Sequence, residues 1–509
     1  MASRRTSEVL LGNTFVSLAQ IGLTIAAGLI STRLMLRYLG EVDFGLLSVL
    51  GASGFYTALL TNGLNVAALR HMAYELGRGE DGRLREVVSS TVAAFVAWGL
   101  LAAGLGLLLR DPILELLTIP PERLAAAQTV YYTVVVGTFV SAAVAPFYGL
   151  RQAHQHLGAV AGYQLTTRLL NLGVLVLLPY LATEALTTYA IGSVAATVAI
   201  ALVVIGTTYR AYPAARPRAG MVEYAEVKRI LSFAQWSTLS ALALQLRQQV
   251  ALVLVNIYFG PVANGAYAIA GRISSILQQL QGAVHRSVQP AMTTGYAEGS
   301  QGWLGRMNSI GSRYAVFAIL PLAIPGLVCT REVLTVWLGE FPEQTVLFAR
   351  LLIGAIAVAL CGNGYGMALN ATDRVREGVA VFIPVQLVGL GLAVALIQFA
   401  GFDAWVIPAS ALVALALQVG IYAVRFGPTT QLPAGVWART VLAPIAIVAA
   451  VAVAATWLGA LVPGPAILRL AVGTVSCWLA LAVGLYGFGM SRPEREVVVE
   501  LIKTRLGYA

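Results

Sequence analysis

The chain has 509 residues, 58% of them hydrophobic and only 11% charged, with a mean hydropathy of +0.79 and a formal net charge of +10. Soluble chains carry about 25% charged and about 45–50% apolar residues, so there is too little polar surface here to cover a soluble fold. These values exclude a cytoplasmic enzyme, a secreted disulfide scaffold and a disordered chain. Long apolar runs exclude an outer-membrane barrel, whose strands alternate, and leave an all-α polytopic membrane protein.

A membrane helix needs about 20 apolar residues, and runs of that length recur along the whole chain. Span 1 (9–36) follows Arg4 and Arg5 and carries Asn13, Ser17, Gln20 and Thr24 at helical spacing. It has no small-residue cleavage site and reads as a retained span, not a signal peptide. Span 2 (42–69) carries Ser53, Thr57 and Thr61. Spans 3 to 6 follow at 87–109, 124–148, 157–180 and 186–209, with Arg168 at the centre of span 5. Residues 210–229, with Pro213, Pro217 and several charges, read as a linker.

Span 7 (230–259) carries Gln245, Arg247, Gln248 and Gln249 about its midpoint. Span 8 (262–289) carries Arg272, then Ser275, Gln279, Arg286 and Gln289 along one helical stripe. Spans 9 to 12 lie at 309–330, 343–369, 377–399 and 404–424, span 13 at 437–460 and span 14 at 466–489. The expected count is fourteen. Cys329, Cys361 and Cys477 all fall in apolar stretches and read as small core residues.

Basic residues set the orientation. With the N-terminus cytoplasmic, and Arg286 at the end of span 8 counted with the loop that follows it, 21 Lys and Arg fall in inner loops and tails, 4 in outer loops and 8 inside spans. This places both termini inside.

The chain also repeats itself at an offset of 220. Residues 38–51 read YLGEVDFGLLSVLG and residues 258–271 read YFGPVANGAYAIAG, so Tyr38, Gly40, Val42, Gly45 and Gly51 match Tyr258, Gly260, Val262, Gly265 and Gly271. Spans 1–6 and 7–12 are therefore expected to be two copies of a six-helix unit. Six is even, so the copies share an orientation, as parallel repeats do. The expected organisation is an N-lobe (1–209), a cytoplasmic inter-lobe linker (210–229) and a C-lobe (230–425), with spans 13 and 14 and a cytoplasmic tail in 426–509. The two lobes would surround a central cavity. Repeated lobes in a membrane point to alternating access about a midplane site.

Charge inside a span is costly and marks a pathway. Arg313, Arg439 and Arg469 lie near span ends and read as snorkelling; Arg350 is ambiguous. Arg168, Arg247 and Arg272 are deep. Arg33, about one turn from the outer end of span 1, either snorkels or reaches a cavity mouth. All 23 acidic residues fall in loops, tails or last turns, with Asp43 the deepest. A guanidinium stays charged and needs an anion, carbonyls or water. Two readings stand: the arginines bond carbonyls and Gln side chains of neighbouring helices, or they line a wet, cationic cavity for an anionic ligand. Phosphate suits the guanidinium fork best. The cavity's polar face would be Gln245, Gln248, Ser275, Gln279, Arg286 and Gln20. For span 1, interhelical hydrogen bonding is an equal alternative.

No G-x-x-x-x-G-K-[ST] motif is present, so the chain is no ATP motor by that route. His154 and His156 share a short loop without further ligands, and no metal, cofactor or catalytic set is assigned. Nucleic-acid binding has no motif.

The stretch Arg33-Leu-Met-Leu-Arg37-Tyr-Leu-Gly40-Glu-Val-Asp-Phe-Gly45 resembles the turn of Wzx-type polysaccharide and O-antigen flippases, members of the multidrug/oligosaccharidyl-lipid/polysaccharide exporter superfamily. Leu64-Asn-Val-Ala-Ala-Leu-Arg70 is similar to the end of their second helix, and Gly271-Arg-Ile-Ser-Ser275 to their eighth. The resemblance covers spans 1–12. It implies a flippase, not an enzyme, that moves a polyprenyl-diphosphate-linked oligosaccharide across a bacterial inner membrane, with Arg247, Arg272, Arg168 and Arg33 holding the diphosphate. It also implies membrane lipids and glycan polymerase or export machinery as partners. Fourteen spans look more like the lipid II flippases of the superfamily, whose last two helices hold a lipid tail. A lipid II flippase and a cation-coupled multidrug exporter of the same fold are the alternatives, the second disfavoured because no deep carboxylate is present.

Overall fold

The structure, a computed structural model, describes residues 2–53, 65, 68–69, 71–78, 81–181, 184–213, 216–299, 302–490 and 494–496. Backbone alone is described for 2–21, 53, 81–82, 181, 219, 230–246 and 283. Among the described residues the fold is all helix and turn, with no strand. Eleven helical segments there are long and apolar enough to cross a membrane. They fall at the expected spans 3 to 6 and 8 to 14 and on the second half of span 7, which runs on into span 8 as Arg247–Ala297. Spans 1 and 2 fall on the helix Ala2–Ser53 and on residues beyond it, many of which lie outside the described set.

The internal repeat is visible in the backbone. The first long helix turns at Gly40 (φ 79°, ψ 176°) and Tyr224–Ala297 turns at Gly260 (φ 78°, ψ −176°). That conformation is open essentially to glycine alone, so the same residue type recurs 220 positions later for the same steric reason. Short helices also recur 220 residues apart, at Arg110–Leu116 and Thr330–Leu338. Each follows a long helix, Asp81–Leu108 in the first copy and Trp303–Val328 in the second.

Two compact units divide the chain at Gly265/Ala266. In the first, Leu124–Ala153 packs between Asp81–Leu108 and Ala185–Ala211, while Leu157–Leu181 lies against the first helix and Ala185–Ala211. One core gathers Leu39, Val49, Leu50, Val130, Tyr131, Leu175 and Leu186. This unit extends through span 7. Thr118, in the loop before span 4, donates its backbone N–H to Asn256 Oδ1 at 3.0 Å and its hydroxyl to the Ile257 carbonyl at 3.1 Å. The repeat and the compact unit therefore divide the chain at different places.

In the second unit the core runs from Leu277 through span 9 to Val448 and Cys477. The expected span 10 is interrupted at Gly362 into Gln344–Cys361 and Asn363–Ala371. Spans 13 and 14 (Ala434–Ala460 and Ala466–Gly489) pack on each other and on span 9. Trp437 Nε1 donates to the Cys361 carbonyl at 3.0 Å and Tyr365 to the Leu432 carbonyl at 2.9 Å. The three cysteines are buried and unbridged.

Candidate functional site

Span 8 presents the clearest polar surface. A helix turns 100° per residue, so Arg272, Ser275, Gln279 and Arg286 share one face over about 21 Å. Both arginines are exposed, and Ser275 and Gln279 are partly so. Neither polar residue between them is tied to another helix by the bonds it donates. The Ser275 hydroxyl donates to the Arg272 carbonyl at 2.8 Å, and Gln279 Nε2 to the Ser275 carbonyl at 3.2 Å. Both therefore satisfy themselves on their own helix. Gln289 behaves differently: its Nε2 donates to the Met367 carbonyl at 3.2 Å, so this end of the polar run is interhelical bonding. Gln281, on the buried flank, donates to Asn363 Oδ1 at 3.0 Å.

Arg247 is half-buried on span 7 and Gln248 beside it is exposed. Arg247 and Arg272 stand thirteen and twelve residues from the Gly260 turn, about 18–20 Å along their helices. Arg33 and Arg168 are both exposed, on the first helix and on Leu157–Leu181, which pack together. Span 5 is the least covered of these membrane segments, and Leu169 and Leu170 next to Arg168 are exposed. The side chains of Gln245 and Gln20 lie outside the described residues.

Several further charges lie against named protein groups. Arg313, which reads from sequence as snorkelling, is instead buried at 8% exposure. It donates to the Gly489 carbonyl at 3.0 Å and to Glu494 at 2.7 Å. Arg350 donates to the Leu327 carbonyl at 3.1 Å and to Thr330 Oγ1 at 3.0 Å. Arg469 lies 3.6 Å from Glu332. Asp43 is buried and 3.2 Å from Arg123, which also faces Glu184 at 3.9 Å.

Sequence reasoning missed two polar clusters. Glu226, at the start of the helix after the linker, is buried between His71 at 3.1 Å and Arg229 at 2.8 Å. Around the loop joining spans 4 and 5, the His154 ring stacks on Tyr212 with centroids 4.2 Å apart, and His156 Nδ1 hydrogen-bonds the Tyr212 hydroxyl. Arg151 donates to Thr208 at 2.8 Å and Thr207 at 2.9 Å beneath them. Burial, and then the neighbouring His156, hold the His154 imidazole below its ordinary range. The H-x-H spacing was a signal, but for an aromatic clasp: among the described residues no group of three metal-ligating side chains forms.

A model of the polysaccharide biosynthesis protein family matches residues 10–295. The chain is similar to the uncharacterized membrane protein EpsK of Bacillus subtilis (strain 168), 26% identical over 172 residues. That stretch is 33% of this chain and 34% of the relative, so the match spans about a third of the relative's length. Among solved structures, lipid II flippase MurJ in an inward closed conformation superposes with a TM-score of 0.73 at 11% identity, covering 93% of this chain and 99% of that one. An inward-facing multidrug resistance transporter of the MATE family, of the MOP superfamily, gives 0.65 at 13% identity, covering 84% and 95%. At these identities the shared property is the fold.

Proposed function

The chain belongs to the polysaccharide biosynthesis protein family, and from that premise we propose that it is the flippase for a polyprenyl-diphosphate-linked oligosaccharide. The observation that carries the reading is the face of span 8. Two exposed arginines bracket self-satisfied Ser and Gln side chains, and no carboxylate shares that helix between Tyr267 and Ala297. Such a face attracts an anion and offers hydroxyl and amide groups to sugars. Arg272 and Arg247, helped by Arg168 and Arg33, hold the diphosphate. Ser275, Gln279 and Arg286 face the glycan, with Gln248, Gln245 and Gln20 completing the polar wall.

The two six-helix repeats act as lobes, N-lobe 1–209 and C-lobe 230–425, joined by the cytoplasmic linker 210–229, and alternate access to a cavity between them. The prenyl chain stays in lipid or along spans 13 and 14. Both termini face the cytoplasm of a bacterial cell, and the glycan polymerase or export machinery takes the product on the other side. The protein binds and moves its substrate without changing its bonds. The scarcity of deep carboxylates weighs against a cation-coupled drug exporter.

A charge reversal tests the site in cells. Arg272→Glu and Arg247→Glu abolish glycan export while leaving membrane insertion intact, as read by surface glycan staining beside quantified membrane protein. Normal export from both variants contradicts the assignment, and rescue of a conditional lipid II flippase mutant points to lipid II as the substrate instead.

A further inference from the structure

The two glycine turns meet, and they meet reciprocally. A methyl group on Gly45 would stand 1.9 Å from the Pro261 carbonyl oxygen and 3.1 Å from Pro261 Cα. A methyl group on Gly265 would stand 3.3 Å from the Glu41 carbonyl oxygen, 3.3 Å from the Phe44 ring and 3.6 Å from Gly45 Cα. Glu41 and Pro261, like Gly45 and Gly265, are 220 residues apart. The contact is therefore self-complementary, as at a two-fold interface. Neither Gly45 nor Gly265 has a positive φ, so space, not backbone conformation, demands glycine there. Gly40 and Gly260 shape the turns; Gly45 and Gly265 let them touch.

A second observation bears on what this contact does. Asn256 and Asn264 beside it are fully buried. Asn256 accepts from Thr118 and Asn264 donates to the Leu252 carbonyl, yet Asn256 Nδ2 and Asn264 Oδ1 have no hydrogen-bond partner among the described residues. The contact thus combines close backbone packing with buried amides that opening would expose to water, so its closure depends on how tightly the two turns fit, the makings of a two-position element.

We propose that Gly45 and Gly265 form a reciprocal lock between the two repeats, closed in this structure, which must part for the lipid-linked glycan to leave at that end. The proposal rests on the flippase reading, and its test separates the two. The first arm needs no transport. With Asn256→Cys as reporter, labelling by a membrane-impermeant maleimide is slow in the otherwise native chain, whose own three cysteines are buried. Adding Gly45→Ala or Gly265→Val raises the labelling rate by about tenfold, because overpacking disfavours the closed contact. Adding Gly51→Ala, where a methyl group meets nothing within 4 Å, leaves the rate unchanged.

The second arm joins Thr118→Cys to Asn256→Cys with a short bis-methanethiosulfonate, which forms a disulfide with each thiol as sulfinate leaves and is released by a reducing thiol. In proteoliposomes, cross-linking arrests movement of a fluorescent lipid-linked oligosaccharide and reduction restores it. Unchanged labelling in both glycine variants, or full transport by completely cross-linked protein, overturns the lock. Absence of transport in the reduced protein faults the flippase reading instead, and the labelling arm still decides on the lock. If a glycine variant does not fold, the cross-linking arm decides alone.

Discussion

Arg313 and His154 illustrate how much of a residue's role depends on partners distant in the chain. The depth of Arg313 near a span end is legible in the sequence, but its carboxylate partner is 181 residues away, in the tail. Hydropathy patterning carries no information on that pairing, and a snorkelling side chain is the default expectation. With Glu494 and the Gly489 carbonyl both answered by one buried guanidinium, Arg313→Ala lowers stability by about 1.5–3 kcal/mol. Thermal unfolding of the purified protein in detergent measures it.

His154 makes a pH prediction with a defined sign. Its folded imidazole is held below the ordinary range, so the unfolded chain binds the proton more readily. Stability is present above the unfolded value of about 6.5 and falls as pH drops below it. His154→Phe keeps the stack on Tyr212 and flattens this acid-side loss in the melting temperature measured from pH 7.5 to 5. The candidate arginines were legible because charge is rare in apolar helices. Their surroundings were not: Gln289 reads like its neighbours on the stripe, and only the Met367 carbonyl beside it reveals a structural bond.

At the scale of elements, the repeat was legible where chemistry demands one residue type. Gly40 and Gly260 recur because the same left-handed turn recurs. The short helices Arg110–Leu116 and Thr330–Leu338 were not anticipated, since a seven- to nine-residue helix leaves little periodicity to read. The interruption of span 10 falls at Gly362, where Val419 packs so closely that a Cβ would stand 2.8 Å from it, an approach between distant residues that the local pattern does not reveal.

The helix Asn363–Ala371 supplies an internal comparison. A methyl group on Gly364 would lie 2.0 Å from the Asn308 carbonyl oxygen, whereas one on Gly366 meets nothing within 4 Å. Gly364→Ala therefore destabilises the protein by about 1–3 kcal/mol through overpacking. Gly366→Ala, two residues on, is neutral or stabilising by up to about 1 kcal/mol through helix propensity. Melting temperatures of the two variants check the contrast.

For the whole molecule, hydropathy and duplication carried the architecture, and among the described residues eleven membrane segments lie within the expected spans 3 to 14. The packing division was less legible. Sequence repeats mark ancestry, but the compact unit follows contacts such as Thr118 with Asn256, which draw span 7 to the first body. The net charge of +10 divides in the same way. By the positive-inside rule most of the Lys and Arg are expected at the inner face; of those inside spans, Arg33, Arg168, Arg247 and Arg272 carry the functional proposal. That proposal is tested most directly by purified protein in liposomes holding a fluorescent polyprenyl-diphosphate oligosaccharide in one leaflet, with its transfer to the other leaflet followed by quenching. Transfer by the native chain is expected, with a loss of roughly tenfold or more in Arg272→Glu and Arg247→Glu, since each reversal removes a charge-assisted contact to phosphate worth about 1.5–3 kcal/mol. No transfer by the native chain, or native rates from both variants, would contradict it.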